Sequence, residues 1–267
     1  MLCNDQSVSY LKSFGYNVVR LPKADINPLQ IITKNGVASE VLGDLSTILV
    51  QGGTINLPLV KRNEITAAIS GQRTSDLSVG VGLSILSNII GAMGGGKIGL
   101  DSQYNNARTI AFEFQEVLTD SVEIAALDQY LSDADINPYS THMRKLLESD
   151  DIYIITSVIK STTLNVEAAA KDKTAIHVDV PAIKQIVGAN IKIEANASQS
   201  SKVSFSGKIP LVFGFKAVKL SYDDGKYTAF EPTRAGSHAL SAEAFSAVAE
   251  PGGISWMVSD NAVLNLV

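Results

Sequence analysis

Residues 77–93 satisfy two secondary structures at once. Leu77, Val79, Val81, Leu83 and Ile85 alternate with Ser78, Gly80, Gly82 and Ser84, the period-two pattern of a strand with one apolar face. The same stretch also sets Val79, Leu83, Leu86, Ile90 and Met93 along one side of a helix. Gly80 and Gly82 each weaken a helix by ~1 kcal/mol, so a helix here depends on what packs against it. Nine alternating residues also approach the ~9–11 that a β-strand needs to cross a bilayer. Whichever structure forms, one long apolar face has to be covered.

The alternation recurs. Beyond Gly94–Gly96 it resumes at Ile98 and Leu100, and Arg108–Phe114 carries it through Ile110, Phe112 and Phe114. A second region spans 152–213. It holds Leu164, Val166, Ala168 and Ala170, then Ile176, Val178 and Val180, then Ile191, Ile193 and Ala195, then Val203 and Phe205, each set separated by more polar residues. Half-buried antiparallel sheet explains this pattern. So do membrane strands, whose signal is weak per segment.

The remaining segments predict an α+β order. Asp5 caps a short helix bearing Val8, Leu11 and Phe14, stopped by Gly15. Strands follow at Tyr16–Leu21, ended by Pro22, at Gln30–Thr33 and Val37–Leu42 around a Lys34-Asn35-Gly36 turn, and at Ile48–Gln51. Helices are expected over 119–131, over Pro138–Leu147 and over Pro181–Val187, the last stopped by Gly188. Ala217–Tyr222 and Tyr227–Phe230 flank an Asp-Gly turn and form the clearest hairpin. Residues 233–253 are rich in small side chains, and an apolar tail follows.

Composition narrows the function classes. The chain has 267 residues, 45% hydrophobic, with a net charge of −5, which is neither disordered nor broadly nucleic-acid-binding in character. Its single cysteine, Cys3, rules out a disulfide framework and points to a reducing compartment. The first residues lack a signal peptide's pattern, which points to a cytosolic chain. Charge is uneven: ten acids and two bases lie within 113–151, and ten lysines and six acids within 160–226. The lysine-bearing half reads either as a solvated face or as a surface that meets an anionic leaflet.

Catalytic signatures fail. Gly91-Ala92-Met93-Gly94-Gly95-Gly96-Lys97 has the spacing of a phosphate-binding loop, but Ile98 stands where a metal-holding hydroxyl belongs. It reads as a flexible turn leading into a strand-like Ile98–Leu100. His142, His177 and His238 lack neighbours at metal-ligand spacing. Cys3 is too close to a terminus to be held as a nucleophile. No enzyme is expected, and no cofactor or metal.

Several features coincide: Cys3 ahead of a short helix, the run Asn27-Pro28-Leu29-Gln30-Ile31-Ile32-Thr33-Lys34-Asn35-Gly36 leading to Val41-Leu42-Gly43-Asp44-Leu45, the two alternating regions, and an apolar tail after a small-residue linker. Over nearly its full length the chain resembles a bacterial gasdermin. The order and size of the parts carry the likeness, and no single motif does. The resemblance implies a twisted, mainly antiparallel central sheet with peripheral helices and a short C-terminal inhibitory tail.

It also implies a division into 1–235 as pore-forming domain, 236–253 as linker with the protease site and 254–267 as autoinhibitory peptide. A caspase-like or trypsin-like protease would cut the linker, with Arg234 and Leu240 as candidate positions. The tail residues Ile254, Trp256, Met257, Val258, Leu264 and Leu266 would hold the uncut chain closed as a cytoplasmic monomer. The freed body would oligomerise in the inner membrane and kill the cell, in defence against phage. Leu77, Val79, Val81, Leu83, Ile85, Ile110, Phe112, Leu164, Val166, Ile176, Val178, Ile191 and Ile193 would meet membrane lipids, and Cys3 would carry a palmitoyl group. The alternatives are a soluble α+β binding module and a phosphate-loop nucleotidase.

Overall fold

The computed structural model describes residues 16–232, apart from 36–37, 72, 75, 149–151, 171–173 and 224–225. The expected first helix, Cys3, Arg234, Leu240, the linker and the tail lie outside the described residues.

An eleven-stranded sheet, antiparallel at every pairing, forms the frame. In chain order its strands are β1 (Asn17–Lys23), β2 (Gln30–Asn35), β3 (Ala38–Asp44), β4 (Val60–Ile65), β5 (Leu77–Ser78), β6 (Thr109–Gln115), β7 (Leu118–Val122), β8 (Ile152–Ala169), β9 (Lys192–Glu194), β10 (Lys202–Asp223) and β11 (Lys226–Pro232). The helices are α1 (Val79–Ala92), α2 (Ile124–Asp133), α3 (Thr141–Glu148) and α4 (Val180–Val187), with further helical turns at Leu45–Ile48 and Asp101–Tyr104.

The long strands β8 and β10 pair along most of their length, from Tyr153 opposite Lys219 to Glu167 opposite Lys202. The free side of β8 is taken in turn by β2, β7 and β6. The free side of β10 is taken by β11, β1 and β9. The sheet therefore has a proximal half, around 152–161 and 211–220, and a distal half, around 163–169 and 202–206.

In the proximal half both faces of β8 are covered. Ile152, Ile154, Val218 and Leu220 pack with Leu127, Tyr130 and Leu131 of α2 and Leu147 of α3. Tyr153, Ile155, Val158, Phe215 and Ala217 form a separate cluster with Val19, Ile26 and Ile32.

The halves meet at an irregular step. Ser161 pairs with Leu211 and Thr163 with Ser206, so β10 advances five residues while β8 advances two. The Ser161 hydroxyl donates to the Gln115 carbonyl at 2.5 Å and accepts from the Thr163 amide at 3.0 Å. The rings of Phe114 and Phe213 stack beside it, nearly parallel, with centroids 3.9 Å apart.

The α+β class and the mainly antiparallel sheet are as expected. Several local expectations need correction. Helix was expected from 119, but 118–122 is strand and α2 begins at Ile124. The Asp120 side chain takes the buried alternate position there, which hides the period-two pattern. β1 runs through Pro22 to Lys23. Among the described residues β1 pairs with β10 alone, and Pro22 falls where that register is irregular, between Val18 and Lys23, so its missing N–H breaks no regular pair. Residues 98–100 are a turn rather than a strand. Around Ile176 only Val178–Asp179 is strand, paired with Gln199–Ser200, and Val180 already opens α4. His177 is exposed and lies outside any strand, and Glu113 and Asp120 sit in β6 and β7.

Candidate membrane-inserting region

The distal half of the sheet is amphipathic. On one face Ile110, Phe112, Leu164, Val166, Ile193, Val203 and Phe205 are buried in a single cluster. On the other, Asn165 lies opposite Glu113 and Ser204, and Glu167 opposite Lys202. That polar face is stitched by ion pairs, Lys202 with Glu113 at 2.6 Å and Arg73 with Glu167 at 3.1 Å, and by Thr163 bonded to Ser206 at 3.0 Å.

The apolar face is closed by α1 and α4. The segment that reads both ways, 79–92, is helix here, with two residues of β5 before it pairing Leu77 with Ile110 and Ser78 with Thr109. Nothing local favours the helix. The Ser78 side chain makes no cap hydrogen bond, the first turn has no acid, and the last has no base. Burial of Gly82, Leu86, Ile89 and Ile90 holds it instead.

Val79, Leu83 and Ile85 are half-buried at the margin of the cluster, and Val81 points away, 42% exposed. The five residues of the alternating set therefore do not share a face in this structure. A Cβ on Gly82 would lie 2.6 Å from Ile110 Cβ, so glycine is what lets the helix sit this close to the sheet. Ile176 packs at the margin, and Val178 and Ile191 are buried in the same cluster.

The glycine-rich turn is not a phosphate loop. It leaves a helix, not a strand, and its amides serve the fold: Gly95 N donates to Ile90 O and Gly96 N to Val187 O. A Cβ on Gly96 would lie 2.2 Å from Ile186 O, and Gly94 holds φ at +80°. The turn is docked on the end of α4 and is not the flexible connection that its composition suggests. Among the described residues there is no group of three or more His, Cys, Asp or Glu placed to hold a metal.

Sequence reasoning missed one charged pair. Asp120, 2% exposed, lies 2.5 Å from Lys160 Nζ, 13% exposed, and accepts from Asn63 N at 2.8 Å, with Arg62 Nη1 at 3.5 Å. It ties β7 and β4 to β8 on the proximal side of the step. The only hint in the sequence is an acid flanked by strand-forming residues.

No described helix is long and apolar enough to cross a membrane, which says nothing of strands. What the arrangement supplies is a sheet whose apolar face is roofed by helices, one of them with the composition of a strand.

Comparison with known proteins gives a consistent answer. The family model described as Bacterial Gasdermin Family matches residues 19–226. A protein of a Desulfuromonadales bacterium named Gasdermin bGSDM is 54% identical over 242 residues, 91% of each chain. One of that name from Vitiosangium sp. is 37% identical over 99% of this chain and 96% of its own. A solved structure of a bacterial gasdermin from Bradyrhizobium tropiciagri, 18% identical, superposes with a TM-score of 0.58 over 85% of this chain and 92% of that one, which shows the shared fold.

Proposed function

Because this chain belongs to the bacterial gasdermin family, we propose that it is a dormant pore-forming protein. One observation carries the reading: the period-two residues of β6, β8, β9 and β10 collect on one face of one sheet, under a helix that is itself period-two in sequence. If α1 straightens into strand, lipid takes over the role of the helical roof, and the polar face of the sheet stays in water. Pairing of the resulting strands between copies leaves no edge unbonded in lipid, the condition for β-structure to span it. Nothing in this sequence asks for a cofactor or a catalytic step.

The finer parts of the proposal follow from the family. The tail, 254–267, holds the chain closed as a cytoplasmic monomer, with Trp256 as the main anchor, and a protease cut within or beside 236–253, at Arg234 or Leu240, releases it. The freed chain then oligomerises in the inner membrane and kills the cell during phage infection. A palmitoyl group on Cys3 strengthens the transfer to lipid, at ~0.8 kcal/mol per buried CH2.

The test is dye release from liposomes by the chain ending at residue 235. Leakage is expected, with none from the uncut chain. Val81→Asp is expected to abolish it, because charge on a lipid-facing strand position costs about 2–4 kcal/mol at mid-membrane. Val81 is exposed in the closed form, so the substitution spares the soluble fold. Silence of the 1–235 chain on every lipid mixture overturns the pore and favours a soluble binding module. Intact mass of chain produced in bacteria checks Cys3.

A further inference from the structure

The end of α1 reaches the irregular step of β10 through the side chain of Met93. This residue is the C-cap of α1, and its amide donates to Ile89 O at 3.0 Å. The side chain is half-buried and lies against Gly207. A Cβ on Gly207 would stand 3.0 Å from Met93 Cγ and 3.2 Å from Sδ, so glycine there is what leaves room for the sulfur.

Met93 also lines a narrow cavity at the step, together with Ile89, Phe114, Leu211 and Phe213. An unbranched, polarisable side chain suits so irregular a gap. The polar members of the lining are Ser161 and Thr163, and both hydroxyls are committed. That of Ser161 donates to Gln115 O, and that of Thr163 bonds with the Ser206 hydroxyl at 3.0 Å.

We propose that Met93 is a site of reversible oxidation by peroxide, and that its sulfoxide unlocks the helical roof. A sulfur lone pair attacks one peroxide oxygen, the O–O bond breaks, an S–O bond forms, and the other oxygen leaves as water. Sulfur is oxidised by two electrons and the peroxide is reduced by two. Half-burial leaves the sulfur within reach of so small an oxidant. The product is a polar group set among apolar side chains and committed hydroxyls, where an unsatisfied oxygen is costly. The side chain therefore swings into water and releases Gly207. Helix α1 has no cap bond or terminal charge to compensate, since burial alone holds it. A sulfoxide reductase fed by a dithiol removes the oxygen as water and restores the thioether. Met143 offers the internal contrast: it is half-buried too, but it packs on the proximal cluster, away from this roof. Oxidation and loosening concern the closed chain and add a control to the pore reading without depending on it.

The experiment treats the full-length chain with hydrogen peroxide, maps added oxygen by peptide mass, and follows amide hydrogen exchange. One oxygen is expected on Met93, with exchange over 79–92 faster by about tenfold or more. Exchange over 152–159 is expected to stay unchanged, and reduction of the sulfoxide is expected to reverse the effect. Met93→Leu keeps an apolar side chain of similar volume and is expected to hold its protection in peroxide. Met93→Gln places a polar head there and is expected to loosen 79–92 with no oxidant. Met143→Leu is expected to leave the full response.

Three results overturn the proposal: oxygen on Met143 with none on Met93, an oxidised Met93 with unaltered exchange over 79–92, or the same response to peroxide in Met93→Leu. Each is read on the uncut chain without lipid, so none bears on the pore reading, which dye release tests separately.

Discussion

From Ile152 to Ile159 β8 is buried on both faces, whereas from Thr163 to Ala169 it is buried mainly at alternate residues. The first stretch lies between two apolar clusters and can exist only inside a protein. The second needs cover on one side only, and its other side is already wet. A helix can supply that cover, and so can hydrocarbon. The comparison teaches that the change from core to amphipathic sheet falls within single strands, at the step between Ser161 and Thr163.

The comparison is sharpest at two phenylalanines on β10. Phe205 and Phe215 are both fully buried, one in the distal cluster and one in the proximal. Each change to alanine is expected to cost about 3–5 kcal/mol. Phe215→Ala is expected to lower amide protection throughout the sheet, and Phe205→Ala only from 77 to 115 and from 163 to 206. Hydrogen exchange read by mass spectrometry reports the difference. Uniform loss from Phe205→Ala would show that the two halves open as one.

The tie at Asp120 comes next. Asp120→Asn leaves Lys160 half-buried without its counter-ion, at an expected cost of about 3–5 kcal/mol in thermal unfolding. Adding Lys160→Met is expected to restore much of the loss, and a double-mutant cycle measures how much belongs to the pair.

Two glycines of α1 should respond with opposite sign. A Cβ on Gly80 meets nothing within 4 Å, so Gly80→Ala is expected to strengthen the helix by ~1 kcal/mol and to slow dye release by the 1–235 chain. Gly82→Ala drives a methyl into Ile110, and a clash of about 1–3 kcal/mol outweighs that gain. Melting temperatures of the full chain decide this. Equal shifts would mean that α1 is not seated on β6.

The smallest effect belongs to the proximal tyrosines. Burial, with Tyr130 nearby, raises the pKa of Tyr222, and burial with the hydrogen bond to Asp128 at 2.6 Å raises that of Tyr227. Both are held neutral in the fold. Their contribution is full below the unfolded value of ~10 and is lost as pH climbs toward the higher folded value, so stability should fall above about pH 10. The Tyr222 hydroxyl has no hydrogen-bond partner among the described residues. Tyr222→Phe is therefore expected to be neutral or to gain up to about 1 kcal/mol at neutral pH, and to flatten the alkaline decline. Urea titrations at two pH values measure both.

What was legible in the sequence follows from how far a signal reaches along the chain. The alternation through Ile110, Phe112, Leu164 and Val166 is local, and it marked strands that are strands. The stop of α4 at Gly188 is equally local, with its φ of +82°. The ambiguity at 77–92 was legible as an ambiguity. Its outcome was not, because Leu86, Ile89 and Ile90 favour helix only once β6 is beneath them. Strand β7 was misread because its buried alternate position is an aspartate whose partner lies forty residues away. The docked glycine turn was misread for the same reason: Ile186 and Val187, which explain Gly95 and Gly96, are remote in sequence.

The unequal advance at the step also has a consequence for reach. Between its pairings with Ser161 and Thr163, β10 holds three residues more than β8 needs to keep pace. At ~3.3 Å per residue this is spare length of about 10 Å, roughly a third of a ~30 Å hydrocarbon layer. The slack sits in Gly207-Lys208-Ile209-Pro210, outside the paired stretches on either side. Drawing it taut would let the distal half of β10 slide along β8 while the proximal half keeps its register, exchanging the pairs between 163–167 and 202–206 and leaving those between 153–161 and 211–219 in place.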